Sequence, residues 1–272
     1  MNPLTFTSKY IPQQRVDLSP LVYQQLKNLT LADIAEIKLQ NGKALIPVSE
    51  LFELSGEDAQ HIVIHSSHDK LDFIGKNLIG GKMTINGDAG AYCGLGMKSG
   101  EIIVNGNVGI FAAAEMKQGL LIVNGNAGDF VGAALIGNVI GMKGGMVLIR
   151  GNAGERIGDH LRRGMILIEG NVGDYCGSRM TAGTIAVMGK TGRYLGYGMR
   201  RGTLLLWQKP LTIPATFNDC GSHSLAFLPL LFKSFQSLNS LFADSNYQFN
   251  RVQRYVGDLA ENIGRGELLI KL

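Results

Sequence analysis

Residues 83–125 read MTINGDAGAYCGLGMKSGEIIVNGNVGIFAAAEMKQGLLIVNG, in which an apolar stretch ending in Asn-Gly recurs with a fixed step. Following its opening glycine along the chain gives Gly87, Gly106, Gly125, Gly151, Gly170 and Gly189, at intervals of 19, 19, 26, 19 and 19 residues. The segments they open are GDAGAYCG, GNVGIFAA, GNAGDFVG, GNAGERIG, GNVGDYCG and GKTGRYLG. Further along each unit stands Met97, Met116, Met142, Leu161, Met180 or Met199, with a glycine three residues later. A degenerate earlier copy keeps Gly75, Leu78 and Gly81 in the same register. Several columns repeat together, so this is a structural repeat and not glycine richness alone.

The columns state the fold. Two and four residues before each opening glycine the chain is apolar: Met83/Ile85, Ile102/Val104, Leu121/Val123, Val147/Ile149, Ile166/Ile168 and Ile185/Val187. Such alternation is a strand with one face inward. So short a strand cannot bury that face alone, but coils stacked at about 4.8 Å turn identical columns into ladders. The Met/Leu column and the column Cys93, Ala112, Val131, Ile157, Cys176, Leu195 fill the rest of the interior. Asp88, Asn107, Asn126, Asn152 and Asn171 tolerate tight corners and can hydrogen-bond along the stack. The expected fold is mainly β: a right-handed parallel β-helix, a single-stranded solenoid of about 19 residues per coil, over residues 67–207. The long interval holds an insertion near residues 133–139, AALIGNV, whose apolar content predicts that something covers it.

The flanks lack the repeat. Residues 1–66 predict a small α/β cap, with helices after Ser19-Pro20 and over residues 31–37 and strands at KALIPV and HIVIH. Capping is what an open coil with unpaired edges needs. Residues 208–272 predict a partly helical C-terminal segment packing on the solenoid or on partner subunits, and GELLI near its end resembles the repeat strand GEIIV.

Among the 272 residues are 37 glycines, 7 prolines and 3 cysteines, with a formal net charge of +4. That charge does not point to nucleic acid. No apolar run approaches the roughly 20 residues of a membrane helix, and MNPLTFTSKY lacks a signal-peptide pattern. The expected location is the cytoplasm.

Residues with chemical potential are few. His61 and His65 lie four apart in a strand-like segment, a spacing that does not set them on one helix face for a metal. Cys93 and Cys176 share their column with Val131 and Leu195, which marks them as buried. Cys220-Gly-Ser-His223 offers a thiol and a base but no orienting third group. Glu155, Asp159 and Glu169 are the best carboxylate candidates for a hydrolytic β-helix surface, and they lie among basic residues. No catalytic set, metal site or cofactor-binding site is expected on this chain.

Two surface columns say more. Lys98, Lys117, Lys143, Arg162 and Arg200 form a basic column that Arg163 and Arg201 double, broken at Thr181. It reads as a solvated stripe or as an attractor for an anionic partner, with Arg162, Arg163, Arg200 and Arg201 the candidates for an anionic carrier tail. The outward position between the two inward ones holds Ile103, Ile122, Leu148, Leu167, Ala186 and Leu205, and a second outer column holds Tyr92, Phe111, Phe130, Tyr175 and Tyr194. Together they make an apolar area too large for water, so the C-terminal segment, another subunit, or both must cover it.

The coils GDAGAYCG, GNAGDFVG and GNVGDYCG resemble the β-helix domain at the C-terminus of glutamate synthase large subunits. With the leader and the tail FNRVQRYVGDLAENIGRGELLIKL, the chain is more similar to the C subunits of formylmethanofuran dehydrogenase and of the formyltransferase/hydrolase complex. The resemblance implies a scaffold subunit beside amidohydrolase-like, formyltransferase and dehydrogenase-like partners. In the latter complex a formyl group passes between tetrahydromethanopterin and a methanofuran-type carrier and leaves as formate. In the dehydrogenase, a molybdenum or tungsten pterin and iron–sulfur clusters sit on other subunits. The modest charged fraction (18%) and the abundant Asn and Gln tilt the reading away from a thermophilic methanogen and toward the hydrolase complex. An independent β-helix enzyme is a third reading.

Overall fold

The apolar pairs that precede the opening glycines line up as strands of one long sheet. In the computed structural model, which describes residues 2–261 and 264–272, strands Lys82–Gly87, Glu101–Val104, Leu120–Val123, Lys143–Ile149, Arg163–Ile168, Thr184–Val187 and Arg201–Leu206 are neighbours in sequence order and all parallel. Met1 of the cap and Asn262-Ile263 of the tail lie outside the described residues. The register places Met83, Ile102, Leu121, Val147, Ile166, Ile185 and Leu204 in one row, and Ile85, Val104, Val123, Ile149, Ile168, Val187 and Leu206 in the next. Both rows are buried, as strand alternation requires.

Each coil meets the next a second time just past its opening glycine. Single-residue parallel bridges join Ala89, Val108, Ala127, Ala153, Val172 and Thr191. Between the two ladders lie the Cys93–Leu195 and Met97–Met199 columns, all buried, so the stack has a continuous core. The Asp/Asn column forms its ladder through the backbone. Asp88, Asn107, Asn126, Asn152 and Asn171 each accept a hydrogen bond from the main-chain N–H of the next coil, at 2.7–2.8 Å. Two residues earlier in each coil, Asn124 Nδ2 donates to Asn105 and Asn105 Nδ2 to Asn86, side chain to side chain.

The sheet runs on beyond the repeats at both ends. Strand Asp58–Ser67 pairs parallel with Lys82–Gly87, and Pro3–Ser8 and Phe52–Ser55 extend it. The last residues of the expected cap are therefore already a rung of the main sheet. A smaller sheet of Ala44–Pro47, Lys38–Asn41, Val16–Asp17 and Leu71–Asp72 lies beside them. The helix expected over residues 31–37 forms as Leu31–Glu36, started by a capping box in which Thr30 and Asp33 exchange hydrogen bonds. The one expected after Ser19-Pro20 shrinks to a single turn, Tyr23–Leu26, whose N-cap Val22 has no side-chain acceptor. At the other end GELLI does what its likeness to GEIIV suggested. Strand Arg265–Lys271 adds a parallel rung to Arg201–Leu206, with Leu268 beside Leu204 and Ile270 beside Leu206. Two antiparallel strands, Arg251–Gly257 and Asn218–Ser224, close the order.

Candidate functional site

The outward apolar column is covered by the chain itself over half its length. Leu148, Leu167, Ala186 and Leu205 are at 0% exposure, packed with Leu228, Phe232, Phe235, Leu238 and Phe242 of the C-terminal segment. Helix Phe227–Ser234 and the turns after it form this cover. This corrects the interface expected at Leu148, Leu167 and Leu205: the residues that satisfy them lie in the same chain. Ile122 is half-buried at the margin of the cover, and Ile103, one coil further, is half-buried outside that cluster.

Polar contacts fix the cover at three points. Trp207 Nε1 donates to the Tyr247 carbonyl at 2.7 Å, Arg150 donates to the Asn239 carbonyl, and the Glu169 carboxylate accepts the Leu241 N–H at 2.7 Å. Burial pushes the Glu169 carboxyl above its ordinary range, against the pull of the Leu241 N–H and Arg150. A carboxyl raised on folding contributes stability that is complete below its unfolded value of 4.5 and is lost as pH rises through its folded value. Glu169→Gln keeps an acceptor for Leu241 and removes that titration. Thermal midpoints measured from pH 4 to pH 8 should therefore fall less steeply with pH in E169Q than in the wild type; parallel profiles would refute this assignment.

The aromatic column stands at a left-handed corner. Tyr92, Phe111, Phe130, Tyr175 and Tyr194 all have φ between 59° and 63°, a conformation uncommon for bulky residues. Stacking holds them there. Tyr92 lies 5.4 Å from Phe111, Phe111 is 4.7 Å from Phe130, and Tyr175 is 4.7 Å from Tyr194, all nearly parallel; such pairs contribute about 0.5–1.5 kcal/mol each. Two members are missing from the column as read in the sequence, although both stand in register. Phe73 begins the stack, 4.8 Å from Tyr92, and Arg156 fills the gap with its guanidinium 4.4 Å over Tyr175. Phe111 is buried and Tyr194 is half exposed.

The basic column is a row of exposed cations on one edge of the stack: Lys98, Lys117, Lys143, Arg162, Arg163, Arg200 and Arg201. Register adds Arg265, the cross-strand partner of Arg201, just as Arg163 is the partner of Lys143. Arg200 pairs with Glu261 at 3.1 Å; among the described residues none of the others has an ion-pair partner. Neighbouring strands lie about 4.8 Å apart, so these charges repel one another unless an anion intervenes.

The remaining candidates are occupied separately. His61 Nε2 meets Thr84 Oγ1 and His65 Nδ1 meets Asn86 Nδ2, each at 3.1 Å. Burial raises the Cys93 and Cys176 thiols to about 12, so they remain protonated. His223 Nε2 lies 2.8 Å from the Cys220 carbonyl, so the imidazole engages the backbone and not the thiol. Buried Asp159 is held by Arg179 and by Ser178 Oγ, Glu169 clamps the cover, and Glu155 is exposed on a different corner. Among the described residues, no group of three or more His, Cys, Asp or Glu side chains is placed to hold a metal ion, and no helix is long and apolar enough to cross a membrane.

A parallel stack with this glycine register matches the GXGXG motif over residues 62–221, more than half of the chain. The chain belongs to the GXGXG motif family. The match includes strand Asp58–Ser67 from Ile62 onward and extends to Gly221 in the edge strand Asn218–Ser224. A chain of the formyltransferase/hydrolase complex (FhcABCD) from Methylorubrum extorquens, solved by X-ray crystallography in complex with methylofuran, is similar to this GXGXG protein from end to end. It has a TM-score of 0.92 and 34% identity over 98% of this chain and 99% of that chain. The C subunit of the tungsten-containing formylmethanofuran dehydrogenase 2 of Methanococcus maripaludis strain S2 is 34% identical over 94 residues, and a second sequence from that species is 33% identical over 97. Those alignments cover 34–35% of this chain and 35–36% of the curated relatives, about a third of their length.

Proposed function

We propose that this chain is the non-catalytic C subunit of a cytoplasmic formyltransferase/hydrolase complex, a scaffold wall against which its catalytic subunits assemble. The end-to-end likeness to a chain of FhcABCD is the observation that supports it. In this reading the coils wind as a right-handed parallel β-helix over residues 67–207, residues 1–66 cap it, and residues 208–272 cover its flank. Ile103, Ile122 and the exposed parts of the Tyr92–Tyr194 column are then surfaces for the amidohydrolase-like, formyltransferase and dehydrogenase-like subunits. The complex passes formyl groups between tetrahydromethanopterin and a methanofuran-type carrier and releases formate.

A second reading, the C subunit of a molybdenum or tungsten formylmethanofuran dehydrogenase, has the M. maripaludis sequences in its favour. Their sequence alignment covers a third of the chain, whereas the structural likeness to the hydrolase-complex chain runs over nearly all of it, which favours the first reading. The reading as an independent β-helix enzyme loses two of its three carboxylates, since Asp159 and Glu169 already serve structural contacts.

Omitting this chain from a reconstituted complex should abolish assembly and formate release from formyl-tetrahydromethanopterin, and the isolated chain should show no turnover. A fully active complex without it would overturn the proposal. Within that complex the row of Arg162, Arg163, Arg200 and Arg201 attracts the anionic carrier tail. Charge reversal at Arg163 and Arg201 should raise KM for the carrier by about tenfold at low salt, flatten its salt dependence and leave kcat unchanged. An unaltered KM and salt response would remove the row from carrier binding.

A further inference from the structure

The insertion that breaks the 19-residue period is a rigid apolar knob. Its root belongs to the protein interior, with Ala133 and Ala134 buried and Leu135 packed against the Phe111–Phe130 stack. Its backbone is tied to the coils on both sides. Ala134 N–H donates to the Asp159 carbonyl at 3.1 Å, Gly141 N–H to the His160 carbonyl at 2.9 Å, and Leu135 N–H to Glu115 Oε1 at 3.4 Å. The Asn138 amide donates to the same Glu115 oxygen. Yet the tip carries Ile136 at 93% and Val139 at 71% exposure. The sequence predicts a covered insertion; within this chain it is not covered. Holding two β-branched side chains rigidly in water lowers the ordering cost of a later contact.

The surroundings of the knob are cationic. A groove of about 250 Å³ runs from Ile136 past His160 to Arg179, and a second of about 340 Å³ continues from Val139 to Arg200. Lys143 follows the insertion in the chain, and Arg162 is tied to its end by donating its N–H to the Met142 carbonyl. The nearby acids are spent: Glu115 anchors the loop, Asp159 pairs with Arg179, and Glu261 pairs with Arg200. We infer that the Ile136/Val139 knob is a docking site for another protein subunit, whose complementary surface is an apolar socket rimmed by carboxylates. Apolar tips flanked by Lys143 and Arg162, which among the described residues have no ion-pair partner, fit such a socket by both shape and charge.

This inference rests on the reading of the chain as a subunit, and the test separates the two. The full chain is mixed with the purified partner subunits of the formyltransferase/hydrolase complex, and affinity is measured at two salt concentrations. The double variant Ile136→Asp/Val139→Asp should keep the circular dichroism and thermal midpoint of the wild type, because both side chains lie in solvent. It should bind at least about 30-fold more weakly, the scale of an interface hot spot. The variant Lys143→Glu/Arg162→Glu should weaken binding mainly at low salt. If the wild type assembles and the double variant assembles equally well, the knob is not the docking site while the subunit reading stands. If the wild type assembles with none of the subunits, both fall. Sedimentation and vesicle flotation decide against a protein socket if the double variant instead abolishes self-association or binding to anionic vesicles.

Discussion

Gly125→Val yields no soluble folded chain. At Gly125 consecutive coils approach backbone to backbone: its N–H donates to the Gly106 carbonyl at 2.9 Å, and its own carbonyl accepts from Gly151 at 3.0 Å. A Cβ there would lie 2.6 Å from the Gly106 oxygen and 2.7 Å from its carbonyl carbon, distances that no movement of a flexible side chain relieves. Its third contact is Asn107 Oδ1 at 2.6 Å, the acceptor of the Asn126 N–H in the asparagine ladder. Relief requires the coils to separate, which breaks that hydrogen bond and strains the adjoining row at Val104 and Val123. Each coil is stable only through its neighbours, so a loss beyond about 3 kcal/mol at one interface removes much of the roughly 5–15 kcal/mol that a domain has. Gly137→Ala is the contrast. Nothing lies within 4 Å of a Cβ at Gly137, and only its φ of +88° opposes a side chain, a cost of about 1 kcal/mol. Soluble yield and urea midpoints of the two variants test the argument, and a Gly125→Val protein that melts like the wild type would defeat it.

That result depends on a contact the sequence displays openly. A period is legible because every column repeats: Gly106, Gly125, Gly151 and Gly170 recur with the asparagines after them, and one coil explains the next. Phe73 and Arg265 show where this legibility ends. Phe73 stands 19 residues before Tyr92, yet its coil has lost the opening motif. Arg265 joins the cation row through a strand that returns after the period has stopped. The packing of Leu167 and Phe232 into one cluster has no periodic signature. The outward leucines announced that a cover must exist, but the choice between this chain and a partner depends on contacts between segments far apart in sequence. Composition stops at the same point in the insertion: the apolar letters of AALIGNV say that something covers it, and within this chain the fold buries only its root and leaves Ile136 and Val139 in solvent.

Phe232→Asp should release the C-terminal cover while the coils stay stacked. Phe232 is 1% exposed and makes edge contacts with Trp207 at 5.9 Å and Phe249 at 5.4 Å, in a cluster that holds Leu148, Leu167, Ala186 and Leu205. Truncating a buried phenylalanine costs about 3–5 kcal/mol, and an aspartate adds the cost of placing a carboxylate inside an apolar cluster. The interior rows of the stack form a separate cluster on the other face of the same strands, and the substitution does not touch them. Trp207 is the one tryptophan of the chain and borders the cover, so its emission reports on that cover alone. In the variant its emission should shift to the red, a hydrophobic dye should bind to the uncovered leucines, and the β-sheet circular dichroism should persist. The exposed stripe should then drive aggregation at concentrations where the wild type remains dispersed. Loss of the sheet signal together with the tryptophan signal would show instead that cover and stack fold as one cooperative unit, because strand Arg265–Lys271 returns to the main sheet only after the chain has built the cover.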